Sequence, residues 1–257
     1  MTTTNDISLP DTLLQDRTIL ITGAGDGIGR AVAEAAAAHG ARVILLGRTK
    51  KKLESVYDSI VAAGHTEPVI HPMDLATAGT EDYDALASGI QDQFQALDGL
   101  LHNAGLLGSL NPLQFTEPQQ WMKLMQVNVN ACFLMTRALL PALQASADAR
   151  LLFTSSSVGR QGRAYWGGYA ISKFAVEGMM QVFAAELNRT SAIRVNSINP
   201  GATRTAMRRA AYPAEDPAAL PTPESLTPAY LYLLGPDSRS LHGQALNIPD
   251  FLSGIPD

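Results

Sequence analysis

The chain has 257 residues, of which 46% are hydrophobic and 17% are charged, a balance typical of a folded globular protein and not of a disordered or collagen-like chain. Nineteen Lys and Arg against 24 Asp and Glu give a net charge of -5, which argues against nucleic acid or an anionic membrane as the main partner. The single cysteine, Cys132, excludes an intramolecular disulfide and a cysteine-cluster metal site, and we expect no bound metal.

Residues 1–16 contain no Lys or Arg and no apolar stretch, so they predict neither a secretory nor a twin-arginine signal. No uninterrupted apolar run approaches the ~18 residues that a membrane span needs. We therefore expect a cytoplasmic protein in which residues 1–16 are an N-terminal extension and residues 17–257 form a single domain.

Short apolar runs alternate along the chain with longer segments of helical periodicity. Strands are predicted at 17–22, 42–46, 69–70, 100–101, 151–154, 193–198 and 244–248. Helices are predicted at 28–39, 50–63, 80–96, 118–143, 168–189 and 226–234. This alternation indicates βαβ units, and hence an α/β fold with a doubly wound, central parallel sheet and helices on both faces.

Five prolines lie between residues 206 and 228 and set this segment apart. Its composition fits a mobile, lid-like surface excursion, and it fits a plain proline-stiffened connector equally well.

A glycine-rich loop, from Thr22 to Gly29, directly follows the first predicted strand and opens the first predicted helix. Glycines permit a tight turn and let main-chain N–H groups approach a pyrophosphate at the positive end of the helix. In this context the loop predicts a dinucleotide site, the alternative being a structural turn. No Lys-Ser or Lys-Thr pair follows Gly29, which disfavours a nucleotide-hydrolase phosphate loop.

The end of the second strand bears on the choice between the two nicotinamide cofactors. An acidic residue there hydrogen-bonds the ribose 2′-hydroxyl of NAD, but this chain has Gly47 followed by Arg48, Thr49 and three lysines. The planar donors of Arg48 suit a phosphate, so we predict NADP(H) in preference to NAD. Asp26, close to the same pocket, argues against a phosphate, and the basic run also fits a solvated helix start.

Tyr169 and Lys173 are four residues apart in a predicted helix, so their side chains share one face. A neighbouring ammonium favours the phenolate and lowers the pKa of the tyrosine, which then exchanges protons with an alcohol or carbonyl oxygen more readily. This spacing is also common on surface helices. Here the helix follows a strand that ends in three serines, at the sheet edge where such folds bind their cofactor.

With these motifs in place, residues 17–248 resemble the short-chain dehydrogenase/reductase family, which has a Rossmann fold, and within it bacterial oxidoreductases of the YciK type. The strings that carry the resemblance are Asp-Gly-Ile-Gly-Arg at 26–30, His-Asn-Ala-Gly-Leu-Leu-Gly at 102–108, Ser-Ser-Ser-Val-Gly-Arg-Gln-Gly-Arg-Ala at 155–164 and Glu-Gly-Met-Met-Gln-Val at 177–182.

The resemblance assigns the site residues. The expected catalytic residues are Asn128, Ser156, Tyr169 and Lys173. The expected cofactor-binding residues are Gly23, Gly27, Ile28, Gly29, Arg48, Asp74, Leu75, Asn103, Ala104, Gly105, Tyr169, Lys173, Pro200, Gly201 and Thr205. Ser156 is chosen among the three serines because it lies thirteen residues before Tyr169, the usual separation in the family.

The resemblance also implies a reaction, the reversible interconversion of a carbonyl and an alcohol by hydride transfer with NADP(H). Tyr169 is the general acid or base, Lys173 lowers its pKa and binds the nicotinamide ribose, Ser156 orients the substrate oxygen, and Asn128 holds a water that relays protons. The substrate is a small carbonyl compound or alcohol, and the protein is a homodimer or homotetramer. The alternative is a catalytically idle NADP(H)-binding sensor or scaffold on the same fold.

Two departures from the family pattern are present. His102 stands where the family commonly has Asn, and we interpret it as a packing or hydrogen-bonding variant. Residues 247–251 replace the usual Asp-Gly-Gly ending, which puts the standard subunit contacts there in doubt.

Charged and aromatic residues flank the predicted site. Arg163, Tyr165 and Trp166 either line the substrate mouth or are ordinary wall residues. The arginines at 204, 208 and 209 either favour an anionic substrate or form a solvated face.

Overall fold

A computed structural model describes residues 9–252 of the chain. Its strands are β1 (Thr18–Thr22), β2 (Arg42–Gly47), β3 (Val69–Pro72), β4 (Gly99–His102), β5 (Arg150–Thr154), β6 (Arg194–Asn199) and β7 (Gln244–Asn247). Its α-helices are α1 (Gly27–Ala38), α2 (Lys50–Ala62), α3 (Thr80–Phe94), α4 (Pro118–Met125), α5 (Ala131–Ala145), α6 (Gly167–Leu187), α7 (Ala206–Ala211), α8 (Thr227–Leu234) and α9 (Ile248–Leu252). The predicted strands and helices are all present within a few residues of their expected bounds.

The seven strands form one sheet in the order β3-β2-β1-β4-β5-β6-β7, and every neighbouring pair is parallel. This confirms the doubly wound α/β prediction. The strand order reverses between β1 and β4, so the loops that follow these two strands diverge at the carboxyl edge of the sheet. In such folds a ligand binds in the crevice at this point.

Side chains on the strands alternate between two buried cores because successive residues of a strand point to opposite faces. One face, which includes Leu20 and Leu100, packs against α3, α5 and α6. The other face, which includes Ile19 and Leu101, packs against α1, α2 and α8. Helices therefore cover both faces, and the carboxyl edge of the sheet is left to loops.

Three segments have a structure that the sequence did not specify. Of the predicted N-terminal extension, residues 1–8 lie outside the described part, whereas Leu13 and Leu14 are buried in the core beside α1 and α8. The single helix predicted at 118–143 is α4 and α5 joined by a π-helical turn at Gln126–Asn130. The proline-rich segment at 206–228 contains α7 and two 3-10 turns before α8 begins.

Candidate active site

The glycine loop turns sharply between β1 and α1. Gly23 and Gly27 have φ angles of +70° and +53°, which side chains disfavour. Asp26 caps α1, since its carboxylate accepts a hydrogen bond from the Gly27 N–H at 2.8 Å. A Cβ on Gly29 would lie 2.3 Å from the Gly23 carbonyl oxygen, so the close approach of helix and loop requires a glycine there.

Thr22 ties the glycine loop to the end of β4. Its hydroxyl accepts hydrogen bonds from the N–H groups of Asn103 at 2.9 Å and Ala104 at 3.0 Å. The Asn103 side chain donates to the Thr22 carbonyl at 3.1 Å. Asn103 therefore holds the start of the glycine loop through Thr22, whereas Ala104 and Gly105 line the cleft.

A cleft of about 280 Å³ opens at this edge of the sheet. Among the residues predicted to bind a cofactor, it is lined by Gly23, Arg48, Asp74, Leu75, Ala104 and Gly105. Residues that the sequence analysis did not assign also line it, namely Gly25, Asp26, Gly47, Thr49, Lys52, Leu53, Met73, Ala76, Leu106, Lys123 and Val127. The basic run that follows Gly47 could have indicated that Lys52 lines the cleft. No local sequence pattern indicates the same for Lys123, an exposed cation on α4.

Asp26, one of the two acidic residues that line this cleft, is paired. The Lys52 ammonium forms an ion pair with the Asp26 carboxylate, and this hydrogen bond lowers the pKa of Asp26. Arg48 makes no hydrogen bond or ion pair within residues 9–252. Asp26 thus stays charged but has its own counter-ion, and the donors of Arg48 are available to a ligand.

Three of the predicted catalytic side chains meet where β5 ends. The Ser156 side chain lies close enough to the Tyr169 phenol to lower its pKa, and its hydroxyl accepts a long bond from the Val158 N–H at 3.4 Å. The Lys173 ammonium lies 5.7 Å from the centroid of the Tyr169 ring and donates to the Thr154 carbonyl at 2.8 Å. Of the neighbouring serines, Ser155 is buried and Ser157 is exposed.

In the protein chain alone the pKa of Tyr169 is raised, contrary to the lowering that the sequence predicts. Burial raises the pKa of Tyr169 to about 12, and the Ser156 side chain opposes this only in part. Lys173 is itself buried, which lowers its pKa, and its ammonium points to the Thr154 carbonyl. The phenol therefore keeps its proton at neutral pH.

Asn128 occupies the π-helical turn between α4 and α5 and is 1% exposed. Its amide oxygen accepts from the Leu106 N–H at 2.8 Å, and its amide nitrogen donates to the Leu106 carbonyl at 2.9 Å and to the Ser172 hydroxyl at 3.0 Å. A Cβ on Gly105 would lie 3.5 Å from the Asn128 amide oxygen and 3.8 Å from the Lys173 ammonium. Asn128 thus joins the loop after β4 to α6, and its water relay stays a prediction.

The remaining predicted cofactor-binding residues lie at the start of α1 and on the segment between β6 and α7. Thr205 caps α7, and a Cβ on Gly27 would lie 3.3 Å from its methyl group, so α7 approaches the glycine loop closely. Pro200 and Gly201 follow β6, where Gly201 has a φ of +73° and donates to the Asn199 side chain at 3.1 Å. Ile28 lies at the start of α1, half-buried against the core.

A network that the sequence analysis missed links the Ser156 loop to the C-terminal strand. Arg160 donates to the buried Glu177 carboxylate at 3.0 Å and to the Asn247 amide oxygen at 2.7 Å. Glu177 also accepts from the Ser197 hydroxyl at 2.7 Å, and Asn247 accepts from the Asn199 side chain at 3.0 Å. Asn247, in the unusual C-terminal sequence, therefore helps to hold the loop after β5.

His102 is a packing and hydrogen-bonding residue, as predicted. Its ring stacks on Phe153 with centroids 4.9 Å apart, and its Nε2 is 2.8 Å from the Thr136 hydroxyl. Burial lowers the pKa of His102 to about 3, with a smaller contribution from the charge of Lys173. The ring is therefore neutral at physiological pH.

Within residues 9–252, no cluster of three or more His, Cys, Asp or Glu residues is arranged to hold a metal ion. The helices described in this range are too short or too polar to cross a membrane. The cytoplasmic location stays a prediction.

Comparison with known proteins identifies the family. The family model of short chain dehydrogenases matches residues 17–216. The chain belongs to the short chain dehydrogenase family. It is 53% identical over 235 residues to the uncharacterized oxidoreductase YciK of Escherichia coli (strain K12), a match that covers 91% of this chain and 92% of that protein.

Two solved structures of short chain dehydrogenases are similar over nearly their whole length. One, from Shigella flexneri 2a str. 301, is complexed with NADP, and the other, from Escherichia coli CFT073, is complexed with NADPH. Each is 52% identical with a TM-score of 0.91, and the match covers 93% of this chain and 99% of that chain. The predicted resemblance to YciK-type oxidoreductases is thus confirmed.

The buried His102 gives a pH-dependent prediction. Its folded pKa of about 3 lies below its ordinary value of 6.5, so between these values the unfolded chain binds a proton that the folded chain does not. Because of this difference, the free energy of unfolding decreases as the pH falls from 6.5 towards 3, by up to about 1.4 kcal/mol per pH unit.

His102→Asn removes the titrating group, so we expect its free energy of unfolding, measured with urea, to fall less steeply than that of the wild type over this range. His65→Asn, in the loop before β3, is the control and should follow the wild type. Parallel curves for wild type and His102→Asn would show that His102 is protonated in the folded protein.

Proposed function

We propose that the protein is an NADP(H)-dependent oxidoreductase that interconverts a carbonyl compound and the corresponding alcohol. The observation that carries the proposal is the convergence of Ser156, Tyr169 and the buried Lys173 at the end of β5. These groups lie at the edge of the sheet where the glycine-lined cleft opens, so a cofactor in the cleft and a substrate at Tyr169 would be neighbours.

The residues of the cleft fit NADP(H). The main chain of the glycine loop and the N-terminus of α1 suit the pyrophosphate. The uncommitted guanidinium of Arg48 suits the 2′-phosphate, and the ion pair of Asp26 with Lys52 removes the main objection to an anion there. The NADP and NADPH complexes of the two similar structures support the same cofactor for this chain.

The chain's own residues supply the proton chemistry. Tyr169 donates its proton to the substrate oxygen, and Ser156 holds that oxygen by a hydrogen bond, so the developing negative charge is met by two hydroxyl donors. Lys173 positions the cofactor ribose and, with Asn128, belongs to the path by which the tyrosine is reprotonated. When bound, the nicotinamide supplies the hydride to the carbonyl carbon or accepts it in the reverse direction.

The protonation state of Tyr169 in the free protein suits the general acid that reduction requires. Its pKa of about 12 means that the phenol arrives at the substrate with its proton, as a general acid requires. Oxidation of an alcohol needs the phenolate, and we expect it to become efficient only at high pH.

Tyr169→Phe removes the acid and keeps the ring. We expect carbonyl-dependent NADPH oxidation, followed by absorbance over a panel of ketones and aldehydes, to fall by about 100-fold or more, with NADPH binding within about twofold of the wild type. Tyr57→Phe, a tyrosine on α2, is the control. Wild-type turnover in the Tyr169→Phe variant would refute the assigned acid, and no wild-type turnover on any carbonyl would favour the idle sensor.

Arg48→Asp places an acid where it repels a 2′-phosphate. We expect the ratio of NADPH to NADH affinity to fall by about tenfold to 100-fold, the range for losing a charge-assisted hydrogen bond. Arg189→Asp, beyond the far end of α6, makes the same charge change away from the cleft and should leave the ratio unaltered. An unchanged ratio in Arg48→Asp would mean that other residues hold the phosphate.

We also propose that α5 and α6 form a contact between subunits. On α6, the side chains of Ile171, Phe174 and Val182 are 38–55% exposed, and Gly178 has open space around it. Their spacing of three or four residues places them on one helical face. Phe133 of α5 is 48% exposed as well. Apolar side chains of this size in one stripe indicate a protein interface.

Light scattering should accordingly give the mass of two or four chains. Phe174→Asp puts a charge in the stripe and should lower the mass, whereas Val61→Asp, at an exposed valine of α2, should not. A wild-type monomer would contradict this proposal and leave the oxidoreductase proposal intact.

A further inference from the structure

One aromatic side chain stands next to Tyr169, and it contacts a second from a separate segment. Trp166, just before α6, has its ring centroid 5.8 Å from that of Tyr169 and 6.1 Å from that of Tyr212, at the C-terminal end of α7. Trp166 and Met207 of α7 pack against the small apolar cluster that contains Tyr169. Trp166 and Tyr212 therefore form an aromatic pair, one end of which adjoins Tyr169.

An ion pair holds Tyr212 in this position. The Arg208 guanidinium lies 3.9 Å from the centre of the Tyr212 ring. Its Nε and Nη2 donate to the two oxygens of the Glu215 carboxylate, each at 2.6 Å. Because the guanidinium is fixed by two parallel bonds, the ring that it covers has little freedom.

The backbone that presents Trp166 is strained. Tyr165 has a φ of +71° although it is a bulky residue and is 62% exposed, and Gly167 also has a positive φ. An exposed tyrosine gains no core packing that would compensate for this conformation. Strain of this kind is retained where a neighbouring side chain must be held for a ligand.

Two of the arginines flanking this region are bonded within the chain. Arg208 is paired with Glu215, and Arg204 donates to the carbonyls of Ala218 at 3.2 Å and Leu220 at 3.1 Å. These bonds fold the proline-rich segment back on itself. A third arginine, Arg163, lies over the Trp166 ring, with its guanidinium carbon 5.9 Å from the ring centroid.

We propose that Trp166 and Tyr212 form the recognition wall for a substrate that carries an aromatic or alicyclic ring beside the reacting carbon. This inference rests on the proposed function and deepens it by naming the substrate class. A flat ring stacks on or packs edge-to-face with the two aromatic side chains, whereas a flexible chain loses more conformational freedom for the same contact.

The test uses two uncharged ketones with the same number of carbon atoms, acetophenone and 2-octanone, with NADPH as the reductant. We expect the wild type to favour acetophenone in kcat/KM. In Tyr212→Ala the ratio of the two kcat/KM values should fall by about tenfold, which corresponds to the loss of one aromatic contact. Tyr212→Phe keeps the ring and should keep the ratio, and Tyr57→Ala on α2 is the control for removing a tyrosine elsewhere.

A binding measurement separates this inference from the proposed function. Saturation-transfer NMR should detect the phenyl protons of acetophenone on the wild type and lose them in Trp166→Ala, with Trp166→Phe as the variant that retains a ring if the alanine variant fails to fold. Binding without NADPH oxidation would refute the proposed function and leave the recognition wall. The inference would be overturned by turnover with an equal ratio in wild type and Tyr212→Ala, or by the absence of acetophenone binding.

Discussion

The buried ammonium of Lys173 is the constraint on which the site depends. It donates to the carbonyl at the end of β5, and the backbone of the same residue packs so closely on Gly159 that an added Cβ would lie 2.7 Å from the Lys173 Cβ. Helix α6 is thereby fixed to the strand and to the turn that begins with Ser156. The spacing of Tyr169 and Ser156 follows from this contact, since one residue lies on the helix and the other at the turn.

Three cations near the site form ion pairs within the chain. Lys52 pairs with Asp26, Arg160 with Glu177 and Arg208 with Glu215. The first two pairs join separate segments of the chain, and the third lies within the proline-rich segment, so the pairs act on the shape of the site as well as on its charge. Arg48, which has no such partner within residues 9–252, is left as a cation for the ligand.

The fold and the principal motifs were predictable because their signals are local. The glycine loop lies between a strand and a helix in the sequence itself, and Tyr169 and Lys173 share a face by their spacing alone. The pKa of Tyr169 was not predictable, since it depends on burial by Trp166 and other side chains from separate segments. The π-helical turn around Asn128 also has no composition of its own, because helical periodicity continues through it.

The contact between Arg160 and Asn247 has a consequence for biosynthesis. Asn247 ends β7, which follows β1 to β6 in the chain. A polypeptide emerging from the ribosome completes β1 to β6 before this strand is available to join the edge of the sheet. The loop of Ser156 therefore gains this anchor only after β7 has been synthesised and has joined the sheet.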